Sequence, residues 1–244
     1  MKTYDMVHEI PLFRNIFPII DIDLVCSLFI ERTYPKGQIL FFQGDEANEL
    51  YIVKSGVLKI YQEDDVKEVI LGHQFSGEPV GEIEVIYDEM PRLASVATLE
   101  KTTLWIIKKD EFSLLLNRYP ELLRRILYIT CERLNQANQK IYYLTFLDTR
   151  LQLANLLLDL YENFGQENCD GKVINWKVTQ DHIAKMLGLN RESVTRTLRD
   201  FKKEGLISTR KRYLYLDNIN EIKRIVHQSK SKIDNRTWHS KHNY

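Results

Sequence analysis

From Tyr34 to about Ile107 the apolar residues come in short runs, each stopped by glycine, proline or acidic residues. QILFF, ELYIV, VLKIY, EVILG, ASVAT and TLWII have the length and β-branched, aromatic content of strands. KG, GDEAN, SG, EDD and EKT punctuate them. That rhythm predicts a small antiparallel barrel or sandwich, with no helix of useful length inside it. Gly37, Gly44, Gly56 and Gly72 fall at the punctuation points, where tight turns or close strand approach are expected.

After Asp110 the period changes. Pro120 can open a helix, because the N–H it lacks would be unpaired in a first turn anyway. Beyond it Leu123, Leu127, Thr130, Leu134, Ala137, Ile141 and Leu144 alternate spacings of four and three, which is the a/d seam of a heptad repeat. Such a seam could pack on its own barrel as an intramolecular core helix, but strict periodicity over this length favours two helices pairing along their length, hence a homodimer. The small Thr130 and Ala137 suit a close approach. A second apolar helix, RLQLANLLLDLYENF, ends near Gly165.

The segment VTQDHIAKMLGLNRESVTRTLRDFKKEGLI has the pattern of a helix-turn-helix. Thr179 caps a helix burying Ile183, Ala184 and Leu187. Gly188 permits the turn, and Asn190 caps a second helix burying Val194, Leu198 and Phe201. LIST and YLYL then read as strands around the basic tip RKR, a β-wing. At the start of the second helix Arg191, Glu192, Thr195 and Arg196 share one exposed face, the end that enters the major groove in this motif. Arginine can donate twice to guanine and glutamate can accept from cytosine, so these four are the expected base readers. Thr179, Arg199, Lys202, Lys203, Arg210, Lys211 and Arg212 are expected on phosphates, which position without reading sequence.

Charge sharpens this picture. The 244-residue chain has 34 basic and 34 acidic residues, yet from 172 to 212 eleven basic residues face four acidic ones, a local charge of +7. A basic module inside a neutral chain is the electrostatic footprint of double-stranded DNA binding. Cys26, Cys131 and Cys169 are too few and too scattered for a disulfide framework, CxxC metal spacing or an iron–sulfur cluster. His8, His73 and His182 stand apart, so no haem or other metal is expected. No opening h-region and no apolar run long enough for a bilayer is seen, so the expected setting is the cytoplasm, away from membranes. GxSxG, GxxxxGK[ST] and HExxH are absent, and no enzymatic activity is expected. The alternative is an enzyme or signalling subunit that binds a nucleotide without binding DNA.

YPKGQILFFQGDEANELYIVKSGVLKIY, VGEIEVIYDEMPRLA, LTFLD and GLNRESVTR, in this order, resemble the Crp/Fnr family of bacterial transcription regulators over nearly the whole chain. The resemblance implies an α+β fold: a double-stranded β-helix (a jelly-roll-like β-roll) over 1–110, a dimerisation helix over 111–147 and a winged helix-turn-helix over 148–226, with a flexible tail at 227–244. GLNRESVTR is similar to the recognition segment of the family's catabolite-activator branch, with Arg191, Glu192 and Arg196 on its base-reading positions. A palindromic operator with TGTGA-like half-sites follows from that likeness. Asp148 is expected as a cap and hinge, and the loop 162–172 lies where that branch touches RNA polymerase.

In family members that bind cyclic nucleotides, the glutamate of the Gly-Glu pair takes the ribose and the later arginine the phosphate. Gly81, Glu82, Ile83 and Arg92 match that cup, whereas Glu84 and Leu93 stand where smaller residues are usual. Ala137 and Asn138 replace the adenine-reading pair, of which only Asn138 retains a polar edge. GEIE brings the chain closest to the YeiL-type branch. Three outcomes stay open: cyclic AMP, which these departures disfavour; another small effector; or none, with Glu82 or Glu84 paired to Arg92.

Overall fold

The computed structural model describes residues 10–87 and 90–228. Its described residues form two compact units: 10–66 with Leu71–Leu134, and Lys67–Ile70 with 135–228. All six sequence-predicted strands are present. The first unit's architecture is two four-stranded antiparallel sheets, whose strands are β1 (Ile30–Tyr34), β2 (Ile39–Phe41), β3 (Glu49–Ser55), β4 (Leu58–Glu63), β5 (Glu68–Gln74), β6 (Pro79–Val80), β7 (Ser95–Thr98) and β8 (Thr102–Lys108). One sheet runs β1-β8-β3-β6 and the other β2-β7-β4-β5.

The pair β3–β8 is the centre of this roll. Its strands read as continuous apolar runs because both faces are covered, as expected for a sheet held between two layers. Tyr51, Val53, Leu104 and Ile106 pack with Phe41, Leu58, Val80 and Val96 between the sheets. Leu50, Ile52, Trp105 and Ile107 face the other way, onto Ile10, Leu12, Phe13 and Phe17 of the N-terminal segment and onto helices. Those helices are α1 (Ile22–Ser27) and, C-terminal to the roll, α3 (Lys109–Arg118) and α4 (Pro120–Phe146).

Three expectations change here. The stretch 82–86 is a short helix, α2 (Glu82–Ile86), where no helix was expected. Gly81, at φ 81°, turns the chain from β6 into it in a left-handed conformation that glycine adopts without strain. The region 111–147 is not one helix: it breaks at Tyr119, whose N–H closes α3 on Leu115, and Pro120 opens the long helix as expected. Strands β1 and β6 are also added, the first too exposed and the second too short to show in an apolar pattern.

The second unit contains α5 (Thr149–Phe164), α6 (Gln180–Leu187), α7 (Arg191–Lys203) and α8 (Ile219–Gln228). It also holds a four-stranded antiparallel sheet of order β11-β12-β10-β9, from β9 (Gly165–Asn168), β10 (Gly171–Ile174), β11 (Ser208–Arg210) and β12 (Tyr213–Tyr215). Asp148 caps α5, accepting from the Leu151 amide at 2.8 Å. Residues 162–172, expected as a loop, are the end of α5 and the hairpin β9–β10. The hairpin joins the wing where Val173 and Ile174 pair with Tyr215 and Leu214. Helix α8, absent from the sequence-based reading, buries Ile219, Ile222 and Val226. It continues to Gln228, so residues 227 and 228 are helical, and the rest of the segment expected as a flexible tail, 229–244, lies outside the described residues.

The first half of α4 is anchored to the roll by Leu122, Ile126 and Ile129 in the core and by two arginines. Arg125 donates to the carbonyls of Pro11 (3.0 Å) and Arg14 (2.7 Å). Arg133 forms an ion pair with Glu82, and donates to the Pro79 carbonyl (2.7 Å) and Gln74 Oε1 (3.2 Å). Glu82 is fully buried, and burial pushes its carboxyl up from 4.5 against the opposing pull of Arg133. Breaking such a pair leaves an uncompensated charge, which costs about 3–5 kcal/mol. Arg133→Met is therefore expected to lower the unfolding free energy by about that amount at neutral pH, measured by urea titration. A carboxyl whose folded pKa is raised contributes stability fully below its unfolded value and loses it as pH rises through the folded one. Glu82→Gln should flatten that fall, so the difference between wild type and Glu82→Gln should shift in favour of the variant as pH rises.

Candidate nucleic-acid interface and effector cup

The helix-turn-helix is assembled by local bonds that the sequence announces. Thr179 Oγ1 accepts the His182 amide at 3.1 Å and starts α6. Gly188, at φ 62°, ends α6 in a left-handed cap, with the Leu189 amide on the Ala184 carbonyl at 3.0 Å. Asn190 Oδ1 accepts the Ser193 amide at 2.8 Å and starts α7. Ile183, Ala184 and Leu187 of α6 and Val194, Leu198 and Phe201 of α7 are buried as expected. The opposite face of α7 presents Arg191, Glu192, Thr195, Arg196, Arg199, Lys202 and Lys203, all exposed.

Two members of the expected interface have other partners. Thr195 Oγ1 donates to Gln180 Oε1 at 2.9 Å, bracing α7 against α6 beside Arg191 and Arg196. This directs attention to Gln180, a residue that the sequence alone did not single out, because the pairing spans fifteen residues and two helices. Arg210 is exposed but engaged by its own domain. Its guanidinium donates to the Asp170 carbonyl at 3.0 Å, meets Asp217 at 3.5 Å and stacks 4.7 Å over the Tyr215 ring. Lys211 and Arg212 instead form the exposed two-residue tip, both at positive φ (49° and 70°). Left-handed backbone is costly for residues with a Cβ, about 1 kcal/mol each.

The seam residues Leu123, Leu127, Leu134, Ala137, Ile141 and Leu144 are exposed on α4 and Thr130 is half-buried. Leu127, Leu134 and Ile141 are each about three-fifths exposed (61%, 62% and 60%), far more than an intramolecular core position allows.

In the first unit Gly81, Glu82, Glu84, Arg92 and Leu93 come together, with Ile83 half-buried between them. Of the outcomes left open, neither carboxylate forms an ion pair with Arg92 among the described residues: Glu82 takes Arg133, and Glu84 Oε1 accepts the Leu93 amide at 3.0 Å. Arg92 is almost wholly buried. It lies 4.1 Å over the Phe41 ring and 5.8 Å from that of Tyr51, and donates to the carbonyls of Glu49 (2.5 Å) and Gly81 (3.4 Å). Burial pulls its pKa down while Glu84, Tyr51, Glu49 and Asp45 pull it up. Tyr51, buried and bonded to Glu49 at 2.9 Å, is pushed well above the usual phenol range. Glu82 Oε2 and Arg92 Nε keep no hydrogen-bond partner among the described residues. Asn138 is exposed on α4, in the second unit. Among the described residues no group of three His, Cys, Asp or Glu side chains is placed to hold a metal, and no helix is long and apolar enough to cross a membrane.

Comparison with known proteins agrees with both halves. Residues 31–119 match the family model of the cyclic nucleotide-binding domain and residues 152–225 that of the Crp-like helix-turn-helix domain. The chain is 30% identical over 177 residues to the cAMP-activated global transcriptional regulator CRP of Salmonella typhimurium, covering 72% of this chain and 83% of that protein. It is 29% identical over 198 residues to the cyclic AMP receptor protein of Thermus thermophilus, covering 81% and 88%. Among solved structures, the c-di-GMP responsive global regulator CLP of Xanthomonas campestris matches with a TM-score of 0.72 at 27% identity, over 82% of this chain and 99% of that one. A mutant of CooA from Carboxydothermus hydrogenoformans matches with 0.71 at 25%, over 84% and 90%. A roll followed by a long helix and a capped, basic helix-turn-helix, shared with these regulators over most of their length, makes the chain a member of the Crp/Fnr family of DNA-binding transcription regulators.

Proposed function

We propose that the protein acts as a homodimer, paired along the α4 seam, that reads a palindromic TGTGA-like operator in the major groove. The observation that carries this reading is the set Arg191, Glu192 and Arg196, exposed together at the capped N-terminal end of α7. Each guanidinium can grip the N7 and O6 of one guanine, and Glu192 can accept from a cytosine amino group. Thr195, with its hydroxyl held by Gln180, acts by fixing the helix pair rather than by reading a base. Thr179, Arg199, Lys202, Lys203, Lys211 and Arg212 are assigned to phosphates, while Arg210 supports the wing through its bonds to Asp170 and Asp217. RNA polymerase is the expected further partner, met through the exposed residues 166–170 of the β9–β10 hairpin, and the setting is the cytoplasm.

A dimer is what gives a palindrome meaning, since two-fold DNA symmetry must be matched by two-fold protein symmetry. Leu134→Glu, at the middle of the seam, should yield monomers in sedimentation equilibrium and abolish preference for a palindrome over a single half-site.

Base and phosphate contacts separate by experiment. In fluorescence anisotropy, Arg196→Ala should cost about 1–3 kcal/mol on the operator and relax the preference for guanine, whereas Lys202→Ala should weaken operator and random duplex alike. With roughly six or more phosphate contacts, affinity should fall by orders of magnitude between 50 and 200 mM salt. Equal affinity for operator and random duplex would defeat this reading.

The wing supplies a separate test. Asn-Gly suits a two-residue turn with two positive φ angles far better than Lys-Arg. Lys211→Asn with Arg212→Gly should raise the unfolding free energy by roughly 1–2 kcal/mol while weakening DNA binding roughly tenfold through lost charge. Arg210→Ala should do the reverse of the first effect, lowering the melting temperature.

A further inference from the structure

An anion entering the cup would need hydrogen-bond donors and uncompensated positive charge. The structure has already committed the backbone donors of the Arg92 segment and surrounded the arginine's charge with carboxylates. All four backbone polar groups of the Arg92-Leu93 dipeptide have internal partners: Arg92 N on the Asp45 carbonyl (2.9 Å), Arg92 O from the Gly44 amide (2.8 Å), Leu93 N on Glu84 Oε1 (3.0 Å) and Leu93 O from Gln62 Nε2 (3.0 Å). The guanidinium donates once from each terminal nitrogen, to the carbonyls of Glu49 and Gly81, and the Phe41 ring covers its face. It lies so close to the Gly81 backbone that a Cβ there would meet Nη1 at 2.2 Å.

Charge points the same way. Glu84 is itself buried, and its carboxylate sits in the field of Arg92 together with those of Glu49 and Asp45. A further buried negative charge would meet three carboxylates around one guanidinium, at a desolvation cost of several kcal/mol. The two unpartnered atoms, Glu82 Oε2 and Arg92 Nε, are an acceptor and a donor of opposite charge, so they do not jointly call for an anion.

We propose that Glu84 is a built-in anion: it holds from within the chain the Leu93 amide and the balancing charge that an anionic effector would require, so the roll is closed to cyclic nucleotides and inorganic phosphate, and operator binding needs neither. This rests on the DNA-binding reading above. Glu84 thereby replaces an external ligand as the group that ties α2 to the Arg92 segment. Removing its charge while keeping an acceptor, or removing the side chain entirely, should reopen the cup by degrees.

The test combines calorimetry and anisotropy on the full-length protein, with 3′,5′-cyclic AMP and inorganic phosphate as separate probes. Wild type is expected to take up neither, and its affinity for a TGTGA-type palindrome should be the same with and without each. Glu84→Gly, which frees the Leu93 amide, should take up at least one probe with about a tenfold or greater gain in affinity. Glu84→Gln should fall between the two, and carries the comparison if circular dichroism shows Glu84→Gly unfolded. Saturable uptake of either probe by wild type, a rise in operator affinity of about tenfold with either, or no gain in a folded Glu84 variant would each overturn the proposal. Failure of the DNA-binding reading looks different: no preference for operator over random duplex under any condition, with the calorimetric pattern unaffected, which also removes the operator half of the proposal.

Discussion

The rest of the first unit depends on covering both faces of the β3–β8 pair. Apolar burial is worth roughly 25 cal/mol per Å², and a strand pair buried on two sides needs one layer for each. The second sheet supplies one layer. The N-terminal segment, α1, α3 and the start of α4 supply the other. The same constraint places the cup, because Tyr51 points between the sheets and Leu50 points to the helices. An arginine admitted between the sheets must lie on aromatic faces and donate to backbone carbonyls, which is what Arg92 does.

Burying charge in such a core is tolerated only when each group finds a partner. The roll meets that condition by dividing its ions rather than pooling them. Glu82 is assigned to Arg133, and so holds the first half of α4; Glu84 is assigned to a backbone amide, and so holds the Arg92 segment. A single Glu–Arg pair across the cup would have left one carboxylate and one arginine buried without counterparts. The arrangement explains why two glutamates one residue apart on a five-residue helix are both buried. Residues at i and i+2 of a helix point to different neighbours, so the carboxylates of Glu82 and Glu84 serve different elements.

Much of this was legible in the sequence, for reasons that can be named. The six predicted strands were marked by runs of β-branched and aromatic residues between turn formers. The helix-turn-helix was marked by its caps, since Thr179 and Asn190 act on amides three residues away. What was not legible was long-range. Nothing near Arg133 points to Glu82, fifty-one residues earlier, and nothing near Thr195 points to Gln180. Two other omissions had local signals. Asn218 followed by Ile219, Ile222 and Val226 is a capped helical stripe, and ENCDG between Gly165 and Val173 is a turn that joins two short strands. The GEIEVI stretch misled in the opposite direction. Its alternation of acidic and β-branched residues suits a strand, yet Gly81 redirects the chain and two buried carboxylates find partners only in helical geometry.

Arg210 shows why charge alone is a poor guide to an interface. The sequence offers three consecutive cations at the wing, and a count of charges treats them alike. Backbone alternation along β11 and β12 does not: Arg210 is the last residue of a paired strand opposite Tyr213, whereas Lys211 and Arg212 make the turn. A guanidinium stacked on Tyr215 and bonded to Asp170 and Asp217 stabilises the junction of the wing with the β9–β10 hairpin. The two cations at the tip hold a backbone conformation that costs stability and have no such internal role. Strain retained at an exposed, positively charged turn is what the phosphate-contact role proposed for Lys211 and Arg212 would account for.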